Sequence, residues 1–489
     1  MFAIFLSSGL FLGWSLGANN AADVFGTAVG TRMISFRKAA IYCGIFVILG
    51  AVISGAGASR TIGELGAVNA IAGAFVVALA AAVTVYWLTV LGYPASATQA
   101  IVGAIIGWDL FAGAMIDYWA LEKIVLSWVL SPILAAIFSA LLYKLIAYMI
   151  THARISMFTL DALTRAGLIL AGIAGSYALG ANNIANVVGI FVPVSPLADI
   201  TLLGLFRLSA AQQLFFIGAA AIAVGTFTYG RRVMLTVGEG ITEMSPVAAL
   251  VAVLANALVL FLFASQGLER FLLGFGLPSF PLAPVSSSQT IVGSVIGIAL
   301  LRGGRGIRWR MLGEITGAWI LTPLVAVVIS FIALFFLQNV FQQKTFLPVE
   351  YRLTAEAENY LKDGGIPTDR LTEMRGKTYP TAAEFEKAVT RYVTLSNREM
   401  SLVLSTTEVG PLLMDPRFAY RINDPAITEA QRGAVQRLMG KRFVHRWQLE
   451  KALAEESPEW RMETGKKERD REIKRKLDYL FRLIRASMQ

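Results

Sequence analysis

GANNAADVFGTAVG (Gly17–Gly30) returns as GANNIANVVG (Gly180–Gly189), and each copy sits inside a hydrophobic run. A second pair follows in the same order, PASATQAIVGAIIG (Pro94–Gly107) and PVSSSQTIVGSVIG (Pro284–Gly297). Each half of the apolar region thus carries one Asn-rich interruption and then one Pro-Ser-rich interruption. Amides, hydroxyls and glycines at membrane depth are costly, because no water is there to satisfy them. Interrupted helices in corresponding halves are the best sequence pointer to the substrate site of a secondary transporter. The pattern therefore implies a membrane carrier of a small ion.

Composition agrees. The chain has 489 residues, 56% hydrophobic and 16% charged, with mean hydropathy +0.61, which excludes an ordinary soluble protein. Only 11 of the 33 acidic residues precede Phe346, so an acid at membrane depth is rare and informative. Beyond Phe346 the sequence is charged and has no run of the roughly 17–25 apolar residues that a crossing needs. The net charge of +10 reads as loop arginine that anchors and orients helices, not as a nucleic-acid surface. The single cysteine, Cys43, excludes an intrachain disulfide. His152 and His445 fall in a loop and in the tail, where neither serves as an intramembrane proton relay. No nucleophile motif, acid/base pair or metal cluster appears in the apolar half, so the chain is not expected to be an enzyme or to hold a cofactor. Its apolar start reads as a first membrane helix and not as a cleaved signal.

Ten candidate crossings follow: Met1–Gly30 (broken at Gly17), Ala39–Gly57, Ala67–Leu91, Pro94–Leu110, Ile124–Ile150, Ala166–Val192 (broken at Gly180), Ala210–Tyr229, Pro246–Ala264, Pro281–Leu301 and Met311–Leu337. The Pro94 and Pro281 segments are short enough to be re-entrant hairpins. Five crossings per half force opposite orientations, so the expected fold is an all-α membrane protein with a 5+5 inverted repeat. The expected domains are residues 1–155 (first repeat), 156–341 (second repeat) and 342–489, a soluble helical accessory domain. In that domain TAAEFEKAVTRYV (Thr381–Val393) opens with a capping box, and Ile473, Leu477, Leu480 and Ile484 share a helical face. Basic clusters at Arg32–Lys38, Arg154 with Arg165, Arg231–Arg232 and Arg302–Arg310 fall on one side if all ten segments cross. That side is expected to be cytoplasmic, with the tail outside.

The candidate chemistry lies in the interruptions. Asn20 and Asp23 share a helical face, and a chain break at Gly17 would expose backbone N–H groups and the positive end of a helix dipole to an anion. Asn19 and Asn20, with Asn182 and Asn183, are expected to surround one central anion, joined by hydroxyls of Ser96, Thr98, Ser286, Ser287 and Ser288. The same hydroxyls, with Asp23, Thr27 and Asn186, are equally suited to a coupling cation, with Asp23 as the Na⁺ ligand if sodium drives transport. Gln99 and Gln289 close the two serine-rich stretches as candidate gates. The plainer reading is that these small residues only let helices approach closely. Two motif types recurring in the same order argue against that reading alone.

These motifs resemble the PiT inorganic phosphate transporter family, whose signature reads roughly GANDxANxxGTxVG, followed by PVSTTHxIVGxxxG. Gly17, Ala18, Asn19, Ala22, Gly26, Thr27, Val29 and Gly30 match the first element; Pro284, Val285, Ser286, Ile291, Val292 and Gly293 match the second. YGRRVMLTVGEGITEMSP (Tyr229–Pro246) is also similar to a stretch of that family. The resemblance spans about residues 1–340. It implies secondary active uptake of phosphate by symport with Na⁺ or H⁺, in a bacterial inner membrane and often as a homodimer. The departures are specific. The signature Asp is Asn20 and Asn183 here, the following Asn is Asp23 in the first copy and stays Asn186 in the second, and Thr-Thr-His becomes Ala97-Thr98-Gln99 and Ser287-Ser288-Gln289. Monohydrogen phosphate has a proton to donate to a carboxylate and sulfate has none, so fewer carboxylates weaken the preference for phosphate over sulfate. The competing expectations are therefore a sulfate or other oxyanion permease and, from another class, a non-transporting anion sensor acting through the tail.

Overall fold

In a computed structural model of the chain, the described residues are 2–65, 68–91, 95–114, 116–152, 156–197, 199–202, 206–231, 234, 245–304, 309–363, 365–368, 370–410, 412–414, 427–462, 469–470, 473, 476–477, 480–481 and 484. The chain divides into two compact units, residues 1–111 with 116–346, and 112–115 with 347–489. Pro94, Arg154, Arg232, Arg305, Arg308 and most of Tyr229–Pro246 lie outside the described residues.

The first unit is helical apart from one small antiparallel ribbon, β1 (Ile200–Leu202) with β2 (Phe206–Leu208). Its helices are α1 (Phe2–Gly30), α2 (Phe36–Ser54), α3 (Ala56–Leu65), α4 (Ile71–Val90), α5 (Ala97–Ala112) and α6 (Tyr118–His152), then α7 (Met157–Val188), α8 (Ala210–Thr228), α9 (Pro246–Ala264), α10 (Gln266–Gly274), α11 (Ser287–Leu301) and α12 (Trp309–Asn339). Eight of them are long and apolar enough to cross a membrane, which makes this an integral membrane protein; α5 and α11 are apolar but shorter. At about 1.5 Å per residue, 16 and 15 residues fall short of a hydrocarbon core roughly 30 Å thick. The short helix α3 was not anticipated, and His152 ends α6 instead of lying in a loop.

The expected breaks at Gly17 and Gly180 are not present. Both glycines lie inside continuous helices of 29 and 32 residues. Their role is close approach: a Cβ on Gly17 would overlap the backbone carbonyl of Ile222 in α8, and one on Gly180 would overlap that of Val47 in α2. The expected Pro-Ser-rich interruptions are present, just before α5 and α11, where Ser96 and Ser286 precede short helices.

Contacts in one half recur in the other. Gly17 meets Ile222 as Gly180 meets Val47, Gly225 meets Trp14 as Gly50 meets Tyr177, and Gly103 meets Pro323 as Gly293 meets Pro132. In each of the first two pairs, the Asn-bearing helix of one half packs on the second helix of the other half. Pro132 and Pro323 sit inside α6 and α12. A proline inside a helix leaves one carbonyl without its intrahelical donor and bends the chain, and α11 and α5 pack closely against these stretches.

The second unit is not purely helical. It contains β3 (Glu350–Arg352), α13 (Ala355–Asp363), β4 (Thr378–Tyr379), α14 (Ala382–Val389), α15 (Asn397–Thr407), β5 (Glu408–Val409), β6 (Leu412–Leu413), α16 (Glu429–Arg437), β7 (Arg442–Phe443) and α17 (Arg446–Glu456). Strand β3 pairs with β4 and β5, and β6 with β7, all antiparallel. The unit is itself duplicated, which the sequence reading missed. GKTYPTAAEFEKAV (Gly376–Val389) matches GKRFVHRWQLEKAL (Gly440–Leu453). Both glycines hold a left-handed turn, at φ +79° and +81°, which favours glycine. Each copy has its own core: Leu371, Met374, Phe385 and Val389 in the first, Val435, Leu438, Leu449 and Leu453 in the second. The expected apolar face of Ile473, Leu477, Leu480 and Ile484 is buried in that second core. Thr381 caps α14 by accepting from the Glu384 amide, but only this half of the expected capping box forms and the helix ends at Val389.

One ion pair in this unit joins a buried carboxylate to a half-exposed guanidinium. Glu358 accepts from Arg375 Nη2 at 2.7 Å and Nε at 3.0 Å, and from Thr372 at 2.9 Å. Burial pushes the Glu358 carboxyl up, but those bonds and the Arg375 charge outweigh it and hold the carboxyl below its usual range. A depressed carboxylate stabilises the fold above its unfolded pKa, and that stability is lost as pH falls through the folded value. Glu358→Gln is therefore expected to cost this unit about 1–3 kcal/mol at neutral pH and to flatten its acid-side stability loss. Chemical denaturation followed by tryptophan fluorescence at neutral and acid pH checks this; equal losses at both would remove the pair as the cause.

Candidate ion-binding site

Four helices bring the interruptions together. All of Asn19, Asn20, Asp23 and Thr27 on α1 are buried, as are Asn182, Asn183 and Asn186 on α7. Ser96 with Thr98 and Gln99 at the start of α5, and Ser286, Ser287, Ser288 and Gln289 at the start of α11, are buried too. Asn20 and Asp23 are three residues apart on one helix face, and both reach the start of α11. Asn20 Nδ2 donates to Ser287 Oγ at 2.7 Å, and Ser287 Oγ donates to Asp23 Oδ2 at 2.8 Å. Ser288 Oγ adds a longer bond to the same oxygen, at 3.4 Å. A chain of donors thus ends on the single carboxylate of the cluster.

The other half builds the same junction without charge. Asn186, in the position of Asp23, donates to Thr98 Oγ1 at 2.9 Å and to Asn183 Oδ1 at 3.1 Å. Thr98 in turn donates to the Val285 carbonyl at 3.3 Å, on the approach to α11. Ala97 occupies the position of Ser287 and has no hydroxyl, so Asn183 donates to the Leu179 carbonyl of its own helix instead, at 3.2 Å. Asn19 and Asn182 each reach the chain just before the short helix of their own half, Asn19 Nδ2 to the Ala95 carbonyl at 3.2 Å and Asn182 Nδ2 to that of Ala283 at 3.5 Å.

Ser96 and Ser286 have a structural part as well, which leaves their hydroxyl protons free to donate. Each accepts from a backbone amide, Ser96 from Gln99 and Ser286 from Gln289, both at 3.3 Å. They cap α5 and α11. With the third-residue amide occupied by the cap, the amides of Ala97 and Thr98, and of Ser287 and Ser288, are the ones left without an intrahelical acceptor. Together with the positive ends of two helix dipoles they suit an anion. The anion-facing N–H groups thus come from α5 and α11, whereas α1 and α7, being unbroken, offer side chains only.

Several buried oxygens here have no partner: Gln99 Oε1 and Gln289 Oε1, Asn182 Oδ1 and Asn186 Oδ1, and Thr27 Oγ1, one turn beyond Asp23. Buried acceptors left unsatisfied cost roughly 1–3 kcal/mol each, and a donor or a cation relieves that cost. Asn256, a lone amide in the apolar run of α9, is a member that sequence reading missed; its Nδ2 donates to the Asp23 carbonyl at 3.4 Å. Its signal was a single buried amide among eighteen apolar neighbours in Pro246–Ala264, easily passed over without its partner in view. Among the described residues, no group of three or more His, Cys, Asp or Glu side chains could hold a metal.

A family model described as the phosphate transporter family matches residues 16–165, 152–330 and 278–483. A protein of Methanocaldococcus jannaschii named "Putative phosphate permease" is 28% identical, over 66% of this chain and 93% of its own length. The chloroplastic inorganic phosphate transporter 2-1 of Arabidopsis thaliana is 27% identical, over 66% of this chain and 70% of its own. Among solved structures, a chain titled "The sodium-dependent phosphate transporter" superposes with a TM-score of 0.56 at 23% identity, covering 69% of this chain and 99% of that one. That likeness concerns the fold.

Proposed function

The chain belongs to the phosphate transporter family, and from that premise we propose that it is a secondary transporter carrying inorganic phosphate across the membrane by symport with a cation, Na⁺ or H⁺. The carrying observation is the paired polar cluster: two capped helix starts, each with free amides, facing two Asn-bearing helices within an apolar protein. The anion sits between the starts of α5 and α11, contacted by Asn19, Asn20, Asn182, Asn183, Thr98, Ser287 and Ser288. Asp23 serves the coupling cation, with Thr27 beside it, and Gln99 and Gln289 flank the passage.

The two halves are read as an inverted repeat. Along α1 and α8 the contacts advance together, Gly13 with Gly218 and Gly17 with Ile222, and just past the end of α8 Gly230 meets Ala21. Those two helices therefore run parallel, while the turn between α1 and α2 spans only residues 31–35 and reverses the chain. On this reading the Asn-rich helices of the two halves run in opposite directions.

Radiolabelled phosphate uptake into proteoliposomes, with Na⁺ and pH gradients imposed separately, tests the proposal. Asn183→Leu is expected to abolish uptake while the protein still inserts and purifies. Undiminished uptake by that variant removes the site; sulfate uptake without phosphate uptake makes the chain a sulfate permease, as its neutral second half-site would favour.

Where α5 and α11 also cross, the arginine-bearing loops share one side, and the reading is then a bacterial inner-membrane protein with its tail outside the cytoplasm. Protease added to intact spheroplasts is then expected to cut within Lys466–Arg471, a sequence lying mostly outside the described residues. Protection until lysis would put the tail inside.

A further inference from the structure

The duplicated unit after Phe346 is not symmetric in what its two copies leave open. In the second copy, the chain beyond α17 closes over the copy. Trp460 Nε1 donates to the Gln431 carbonyl at 3.2 Å, Gln431 Nε2 donates to the Glu459 carbonyl at 3.1 Å, and Arg461 Nε donates to the Ala454 carbonyl at 3.0 Å. By the GK…EKA alignment, Gln431 and Ala454 correspond to Pro367 and Thr390 of the first copy. No turn equivalent to Pro458–Trp460 follows α14. Pro367 and Thr390 instead line an open cavity of about 450 Å³, together with Arg370, Arg391, Tyr392 and Thr394.

The lining has also changed charge. Arg370 stands where the second copy has Ala434, and Arg391 where it has Glu455. Both arginines are exposed, and among the described residues neither is in an ion pair. Two exposed arginines bordering one cavity make it electropositive, and their planar donor forks match phosphate oxygens. The C-terminal end of α14 beside them contributes only about half a negative charge against two full positive ones. Thr394 adds a hydroxyl, and half-buried Tyr392 an aromatic wall. The cavity is open to solvent and has room for a group larger than a bare inorganic anion.

We propose that this cavity in the tail is a binding site for a nucleotide-sized, phosphate-bearing small molecule, separate from the transport site. The proposal does not depend on what the membrane unit carries.

The test uses the purified full-length chain in detergent, with radiolabelled ATP as probe in equilibrium dialysis. Saturable binding is expected, competed by pyrophosphate and not by adenosine. Arg370→Ala and Arg391→Ala are each expected to weaken it roughly tenfold or more, the loss of a charge-assisted bond, whereas Arg391→Lys should lose less. Asn183→Leu, in the membrane unit, should bind ATP as the parent does, so a failed transport reading leaves this result intact. Absence of saturable binding overturns the proposal. So does competition by adenosine equal to that by pyrophosphate, or unchanged affinity in the Arg370→Ala/Arg391→Ala double variant.

Discussion

Asp23→Asn is expected to abolish gradient-driven uptake while leaving the protein folded. Asp23 is the only carboxylate in the paired cluster, and its Oδ2 accepts from Ser287 at 2.8 Å and Ser288 at 3.4 Å. An amide of the same shape can still meet one of those hydroxyls, so packing survives. What disappears is the negative charge that a cation needs at membrane depth. Losing a charge-assisted partner costs on the order of 1.5–3 kcal/mol, or about tenfold to a hundredfold in cation affinity. Both half-sites would then be neutral, since Asn186 already stands in the matching position. The double variant Asn20→Asp/Asp23→Asn returns a carboxylate one turn earlier on the same face and should recover part of the uptake. Ion-gradient-driven uptake and phosphate exchange are the two measurements. Unchanged cation dependence in Asp23→Asn would sink the assignment.

Gly180→Val should prevent the protein from accumulating in folded form, and Gly17→Val should do the same. At each site a Cβ would overlap a backbone carbonyl of the other half, Val47 or Ile222. Backbone cannot rotate aside as a side chain can, so the helices must separate. Core overpacking ordinarily costs about 1–3 kcal/mol. Here the separation would also loosen the neighbouring contacts of Gly50 with Tyr177 or Gly225 with Trp14, which puts the cost above that range. By contrast Gly313→Ala, where a Cβ meets nothing within 4 Å, should express as the parent does. Size-exclusion chromatography of detergent extracts compares the three. A monodisperse Gly180→Val protein at normal yield would show that this approach is not needed for folding.

Much of the candidate site was legible because polar side chains in apolar runs announce themselves. Asn19, Asn20, Asp23, Asn182, Asn183 and Asn186 were identified from type and recurrence; in space Asn20 and Asp23 meet Ser287 and Asn186 meets Thr98. What misled was glycine. Glycine reads as a break, since it weakens a helix in water. In a membrane the backbone has no competing partner but itself, so the helix runs on through Gly17 and Gly180 and uses the missing Cβ for contact. The capping part of Ser96 and Ser286 was not legible for a related reason. Whether a serine oxygen accepts from the third amide of a helix depends on where that helix begins. The tail's duplication was visible in the GK…EKA repeat, but the attention-drawing repeats lay in the membrane half.

Sequence by itself determined the family, the helical membrane class and most of the residues of the polar cluster. Each of these follows from residue type and order, which fix solvation cost wherever the residue ends up. Tertiary structure alone decided which helix starts present free amides, and that Asn256 on α9 joins Asp23. It alone revealed that one half-site ends on a carboxylate and the other on a carbonyl, and that one copy of the tail module is closed while its twin stays open. These are pairings between groups up to hundreds of residues apart, and a hydrogen bond or a steric overlap exists only once both partners have a position.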